Sequence, residues 1–144
     1  MHTAIDDLES FIWVLVWAVL QKTQSKTVME RGWFWGLSGD DIQTVAGQKS
    51  TIILTLSHPA LLRPSDFSEP LQNVLPLLLN WFKIALDGQA TMSHILEAGA
   101  SGQNIDDIGI SDDTRSELER SCVEYYIKYL KAGVEFLSTC KRSA

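Results

Sequence analysis

The longest apolar run of the chain lies near its start. Residues 11–20 carry no polar side chain, and they directly follow the acidic stretch Asp6 to Glu9. A helix that is apolar on every side must be wrapped by other elements or lie in lipid. Ten residues of helix rise only about 15 Å, roughly half the thickness of a bilayer core. The run therefore predicts a central, buried helix over about residues 6–21 of an all-α domain.

Acidic residues at the start of this run predict how the helix begins. Asp6 at the N-cap and Glu9 at the N3 position would accept hydrogen bonds from backbone N–H groups that the first turn leaves unpaired. Their charges, together with that of Asp7, also suit the positive end of the helix dipole. We therefore interpret Asp6, Asp7 and Glu9 as residues that cap the helix.

Apolar residues that recur three or four positions apart predict two further helices in the middle of the chain. The first starts at Asp40 or Asp41 and runs to about Leu56. The second starts at Asp66 or Ser68, runs to about Leu86 and is closed by Gly88. It contains Pro76, which should kink it or mark its true start, because proline removes one backbone hydrogen bond and clashes with the preceding turn.

Two segments are less regular. Residues 21–38 are polar at first and then aromatic beside Gly32 and Gly36, which predicts a long loop whose aromatic residues fold back onto the core. Residues 89–110 predict a short helix around 92–96 and then a mobile loop.

A long, amphipathic C-terminal helix is predicted over about residues 113–139, with Ser111 at its start. Glu124 and Lys128 form an i,i+4 ion pair on it. One apolar face is predicted from residues at helical spacing, namely Leu118, Cys122, Tyr125, Tyr126, Tyr129, Leu130, Gly133 and Leu137.

Two aromatic groups are candidates for an interaction surface. These groups are Trp33, Phe34 and Trp35, and Tyr125, Tyr126 and Tyr129. A stripe of aromatic residues at helical spacing is usually part of a core. A symmetric interface or a ligand platform is the alternative.

Length and charge narrow the possible functions. The 144 residues are enough for a single domain with a buried core. The net charge of −6 and the isoelectric point near 4.9 argue against a nucleic-acid partner, because phosphate backbones attract basic surfaces.

Cysteine and histidine spacing predicts neither a disulfide framework nor a metal site. Cys122 and Cys140 lie on one predicted helix about 27 Å apart, beyond the reach of a disulfide. His2, His58 and His94 have no second ligand at metal-binding spacing. No cofactor is predicted. The apolar run lacks the basic flank of a secretory signal, so we expect an intracellular protein that does not enter the membrane.

Three strings carry a family resemblance. Residues 6–17 read Asp-Asp-Leu-Glu-Ser-Phe, one Ile, and Trp-Val-Leu-Val-Trp. They resemble the central helix of the protein-kinase large lobe in the fungal-type protein kinase family. Residues 35–54 are similar to the family's next helix, and residues 67–78, with their repeated Pro-Leu, to the segment after it. The resemblance covers about residues 2–87 and leaves residues 88–144 unmatched.

The motifs of phosphoryl transfer are missing from this resemblance. A kinase needs a Gly-rich loop, a strand lysine, a catalytic-loop aspartate and a magnesium-binding Asp-Phe-Gly, all of them before the central helix. The string Asp107-Ile108-Gly109 lies after it. In the family, the aspartate that matches Asp7 is a strut for the catalytic loop, which this chain lacks.

The expected function is therefore that of a non-catalytic, kinase-lobe-like protein with an interaction or regulatory role and a protein partner. Two alternatives stay open. One is a self-associating, homodimeric helical protein, and the other is a fragment of a larger fungal-type kinase.

Overall fold

The computed structural model describes residues 4–100 and 109–143, and within these ranges it contains helices and no strand. The all-α prediction is thus confirmed. The α-helices are α1 (Ala4–Lys22), α2 (Val28–Leu37), α3 (Ile42–Leu56), α4 (Glu69–Ala100) and α5 (Asp112–Arg142). Two short 3-10 turns, Pro59–Leu61 and Pro64–Asp66, connect α3 to α4.

The chain divides into two compact units. One consists of residues up to Ser10 together with those from Trp81 onward, and the other is Phe11–Asn80. The helices α1 and α4 each contribute residues to both units. Each unit is described by itself below.

Helix α1 is buried along one face. Ile5, Leu8, Ile12, Val16 and Leu20 are fully or almost fully buried, and they recur three or four residues apart. The sequence predicted burial on every side, and this is wrong at Phe11 and Val14, which are 57% and 64% exposed. The helical period carries Val14 to the side opposite the buried row.

Helix α2 occupies part of the segment that was predicted to be a loop. Thr27 is its N-cap and forms a capping box with Glu30, in which each side chain accepts a hydrogen bond from the other residue's backbone N–H. The packing of Trp33 against Phe67, with ring centroids 6.1 Å apart, explains why this glycine-containing segment is helical. Tertiary packing outweighs the low helix propensity of Gly32.

Helix α3 begins as the sequence predicts. The Asp41 carboxylate is its N-cap and accepts hydrogen bonds from the backbone N–H and the hydroxyl of Thr44, at 2.8 and 2.6 Å. These bonds favour the charged form and hold the pKa of Asp41 below its usual value. The helix ends at Leu56, as expected.

Helix α4 is longer than predicted. It begins at Glu69, so Pro76 lies inside it and does not mark its start. It also continues through Gly88 to Ala100, so the predicted end at Gly88 is wrong. Gly88 is buried, and a Cβ there would lie 3.0 Å from Cδ1 of Ile5 and 3.3 Å from Cγ of Tyr125. This glycine therefore permits close packing and does not end the helix.

The prediction of a short helix followed by a loop over residues 89–110 is wrong for residues 89–100, which belong to α4. The short helix expected around residues 92–96 is part of α4. Residues 101–108, which include Asp106 and Asp107, lie outside the described residues.

Glu30 is the fully buried carboxylate of the Phe11–Asn80 unit. Its Oε2 accepts a hydrogen bond from the Thr27 backbone N–H at 2.8 Å. Its Oε1 accepts from both the backbone N–H and the hydroxyl of Ser68, at 2.9 and 2.6 Å. The Thr27 hydroxyl in turn donates to the Asp66 carbonyl at 2.7 Å. Glu30 thus ties the start of α2 to the residues that precede α4.

Replacing Glu30 with Ala should lower the free energy of unfolding by about 2–4 kcal/mol, because three partly buried donors would lose their acceptor. Glu30→Gln should be milder, because one amide oxygen remains. Arg31→Ala, an exposed neighbour on α2, is the matched control and should change stability by less than about 0.5 kcal/mol. Urea unfolding followed by circular dichroism measures each value, and an Ala variant as stable as the control would contradict the prediction.

Candidate interaction surface

The inner face of α5 packs against the second half of α4. Leu118, Tyr125, Tyr129 and Ala132 of α5 are buried. The Tyr125 hydroxyl donates to Oδ2 of Asp87 at 3.0 Å. These four residues, separated by seven, four and three positions, are called the inner row. The prediction that this helix contributes an apolar face to the core is confirmed for Leu118, Tyr125 and Tyr129, and Ala132 is a buried residue that the prediction did not include.

A tryptophan and a glycine complete this inner contact. The Trp81 ring stacks on Tyr129 with centroids 4.2 Å apart, and its Nε1 donates to the Tyr129 carbonyl oxygen at 3.1 Å. A Cβ at Gly133 would lie 3.4 Å from the Trp81 ring, so the glycine allows this ring to sit close to α5.

A second apolar row lies on the outer face of α5. The sequence grouped Tyr126, Leu130 and Leu137 with the buried face, and the structure shows that this is wrong for all three. The exposed apolar residues of α5 are 45–63% exposed: Val123, Tyr126, Ile127, Leu130, Val134 and Leu137. At 3.6 residues per turn their centre lies about 140° around the axis from the inner row. We call Val123, Ile127, Leu130, Val134 and Leu137 the outer stripe.

The spacing within the outer stripe is that of a coiled coil. Its residues are separated by four, three, four and three positions, which places Ile127 and Val134 at heptad position a. Val123, Leu130 and Leu137 then occupy position d. In this frame the buried inner row falls at positions c and f. Helix α5 therefore carries two separate apolar faces, one buried and one exposed.

Charged residues fill the remaining face of α5. Lys128 Nζ lies 2.8 Å from Oε1 of Glu124, so the predicted i,i+4 pair is confirmed. The hydrogen bond that Lys128 donates to this carboxylate raises the pKa of Lys128. The same ammonium group lies 4.5 Å from the centre of the Tyr125 ring. Glu124 and Lys131 occupy heptad position e, beside the outer stripe.

The aromatic residues that were candidates for an interaction surface differ in their burial. Trp33, Tyr125 and Tyr129 are buried, so their rings are not available to a partner. Trp35 is 73% exposed, and Tyr126 lies exposed at the edge of the outer stripe.

Phe34 belongs to a local aromatic stack in the Phe11–Asn80 unit. Its ring lies parallel to that of Trp17, with centroids 5.0 Å apart. The Lys26 ammonium group lies 4.8 Å from the centre of the Phe34 ring. This arrangement makes the predicted aromatic segment part of local packing, with Trp35 at its exposed edge.

The acidic residues of α1 are placed differently from the predicted cap. Because α1 is already helical at Ala4, Asp6 and Asp7 lie in its first turn and Asp6 is not the N-cap. Their charges still lie at the positive end of the helix dipole. Glu9 accepts a hydrogen bond from Nε2 of Gln89 at 2.7 Å, so it connects α1 to α4 within one unit.

Other candidate chemistry is sparse in the described part of the chain. Residues 4–100 and 109–143 contain no cluster of three His, Cys, Asp or Glu side chains that could hold a metal ion. No helix in the same ranges is long and apolar enough to cross a bilayer. An open cleft in the Phe11–Asn80 unit brings His58 near Asp66, and His58 Nδ1 lies 2.9 Å from the Leu54 carbonyl oxygen. Apolar side chains such as Leu61 line most of the cleft.

Comparisons with protein-family models, with curated proteins and with solved structures find no match to this chain. The outer stripe of α5 is therefore identified as a candidate site from its geometry alone.

Two tyrosines of the inner face offer a matched pair of variants. Tyr125→Phe should lower the free energy of unfolding by about 1 kcal/mol, because the partly buried hydrogen bonds of the Tyr125 hydroxyl with Asp87 and Thr91 are lost. The Tyr129 hydroxyl is buried and finds no hydrogen-bond partner among the described residues. Tyr129→Phe should therefore leave stability unchanged or raise it by up to about 1 kcal/mol. Urea unfolding measures both, and equal losses for the two variants would contradict the prediction.

Tyr129 should also make stability depend on pH in the alkaline range. Burial, and then the neighbouring Tyr126, raise the pKa of Tyr129 to about 12, above the value near 10 of a free tyrosine. The neutral form is thus favoured by folding, so its contribution to stability is complete below about pH 10 and is lost as the pH rises towards 12. Unfolding curves at about pH 9 and pH 11 should show a smaller alkaline loss for Tyr129→Phe than for the wild type. Identical losses would be evidence against this assignment.

Proposed function

We propose that this chain is a non-catalytic, helical protein-interaction module that binds a helix of a protein partner through the outer stripe of α5. The observation that carries the proposal is the second apolar face of α5. A surface helix of a soluble domain has one apolar face, which it turns to the core. Contiguous exposed apolar patches on proteins are typical of interaction sites.

The spacing of the outer stripe favours a helix as the partner's contacting element. Side chains at positions a and d of successive heptads insert between four residues of a facing helix, and the seam from Val123 to Leu137 covers two heptads. A strand or an irregular loop offers no matching set of holes. The polar e position beside the seam, with Glu124 and Lys131, would form the charged rim of such a contact.

The inner face of α5 supports the proposal energetically. Burial of Leu118, Tyr125 and Tyr129 holds the helix in place before any partner arrives. Binding then orders only the exposed side chains. The free energy of binding is not reduced by the entropy cost of folding a helix, because α5 is already folded. A contact of two heptads, which would be weak between free peptides, is favoured when it is presented on such a support.

The proposal includes the kinase resemblance as a hypothesis about the scaffold. The matched strings lie in residues 2–87, before α5, so α5 would be the binding element attached to a kinase-lobe-like region. The printed sequence contains no Gly-x-Gly-x-x-Gly loop and no Asp-Phe-Gly, which supports a role without phosphoryl transfer. In this proposal Asp7 has a helix-start role, because its charge lies in the first turn of α1, at the positive end of the helix dipole.

An intracellular location is part of the same proposal. The two cysteines, Cys122 and Cys140, are both free thiols. Both lie on α5, where eighteen residues of helix separate them by about 27 Å, so they cannot bridge each other. Free thiols are usual in reducing compartments.

Site-specific photo-crosslinking tests the proposed binding face. A photoreactive amino acid at Leu130 of the outer stripe should give a defined protein adduct in extracts of the cells that make this chain. The same amino acid at Glu135, an exposed residue on the polar face of α5, should give none. Mass spectrometry of the adduct identifies the partner and the crosslinked segment. Adducts of equal yield from both positions, or from neither, would overturn the proposal.

Calorimetry tests the non-catalytic part of the proposal. Titration of ATP with magnesium into the folded chain should release no heat beyond dilution, because the sequence lacks the loop and the metal-binding aspartate that hold the phosphates. Omission of magnesium is the control for weak, nonspecific anion binding. Tight, magnesium-dependent binding would contradict a purely non-catalytic role.

A further inference from the structure

We propose that the helix bound by the outer stripe is α5 of a second copy of this chain, paired in antiparallel orientation about a two-fold axis. The inference rests on the proposed function and names the partner at the same site. It predicts a homodimer whose central contact lies between Ile127 and Leu130.

The free surface of α5 favours a two-helix contact. Positions a of the stripe carry Ile127 and Val134, and positions d carry Leu130 and Leu137 with Val123, so all five side chains are apolar. The inner row at positions c and f is already covered within the chain, so α5 has one seam left and accommodates a single further helix.

In one antiparallel register, four of the five apolar positions on each helix lie opposite an apolar position of the other helix. When Leu130 lies opposite Ile127 of the second copy, Val123 lies opposite Val134 of that copy, and the two-fold axis repeats each contact. The same surface is then used by both copies, as a closed dimer requires. Leu137 lies at each end of the seam, beside Arg120 of the other copy.

Charge supports this register. Glu124 and Lys131 are seven residues apart at successive e positions, and in an antiparallel pair the e positions of the two helices face each other. In this register Glu124, whose Oε1 lies 2.8 Å from Lys128 Nζ of its own chain, also approaches Lys131 of the second copy, and symmetry creates the same cross-chain contact twice. A parallel pair would place Glu119, at position g, beside Glu124 of the other helix, where like charges repel.

Side-chain size also supports the antiparallel register. On the other flank of the seam, the g positions of the two helices face each other. The exposed ring of Tyr126 would lie beside Gly133 of the second copy, which has no side chain to obstruct it. Charge on one flank and size on the other therefore select the same register.

Sedimentation equilibrium of the intact chain tests the dimer. The wild type should sediment as a dimer at micromolar concentration. Leu130→Glu should weaken dimerisation by more than about 100-fold, because it places a charge at the centre of the seam. Its circular dichroism should stay that of the wild type, since Leu130 is half exposed in the single chain. Glu135→Gln, on the polar face, is the matched control and should remain dimeric.

Charge-reversal variants test the orientation. Glu124→Lys alone and Lys131→Glu alone should each weaken the homodimer by about 10-fold, since each creates two like-charge contacts. An equimolar mixture of the two variants should form heterodimers at wild-type strength, because both cross-chain pairs become complementary. Changes within one helix are identical in homodimers and heterodimers, so the preference for mixing isolates the contact between chains.

The experiments distinguish failure of the homodimer from failure of the proposed function. A wild-type monomer at all concentrations overturns the inference, and the proposed function survives it if the Leu130 crosslink is to a different protein. A dimer that tolerates Leu130→Glu places the interface elsewhere and overturns the inference. A dimer that depends on Leu130 but shows no preference for mixing overturns the antiparallel register. If Leu130 forms no crosslink to any protein, the proposed function fails together with the inference.

Discussion

A buried carboxylate can be tolerated only where the chain supplies its hydrogen-bond donors, and Glu30 imposes this requirement on the Phe11–Asn80 unit. Its two oxygens are satisfied by the backbone N–H of Thr27 and by two donors of Ser68, residues almost forty positions apart along the chain. The start of α2 is thereby fixed beside the start of α4. Trp33, in the second turn of α2, packs against Phe67, the residue directly before Ser68.

The helical class and several boundaries follow from local signals in the sequence. Asp41 and Ser111 each cap a helix with their own side chain, and such signals need no knowledge of the rest of the fold. The prediction that Gly88 ends α4 is wrong, and the reason is not local. A glycine after an apolar helical pattern usually ends the helix, but here it gives Ile5 and Tyr125 room to approach, and this use depends on residues far away in the sequence.

The capping box of α2 shows how a local signal can be hidden. Thr27 and Glu30 stand at capping-box spacing, but they lie in a polar stretch that continues into glycines and aromatic residues.

The outer stripe could not be identified from the sequence for another reason. Periodicity detects that α5 is rich in apolar residues at helical spacing, but it cannot decide which of two adjacent rows faces the core. Which row is buried depends on the residues of α4 that pack against α5, such as Trp81 against Tyr129.

The two faces of α5 differ in what a polar substitution would do to the chain. In the inner row it would unfold the helix from α4, so protein stability alone requires those positions to be apolar. At Leu130 or Val134 it would leave the single chain folded, because these side chains are 49% and 63% exposed. Folding therefore does not account for the regular spacing of four and three in the outer stripe. Under the proposed function, contact with another surface accounts for it.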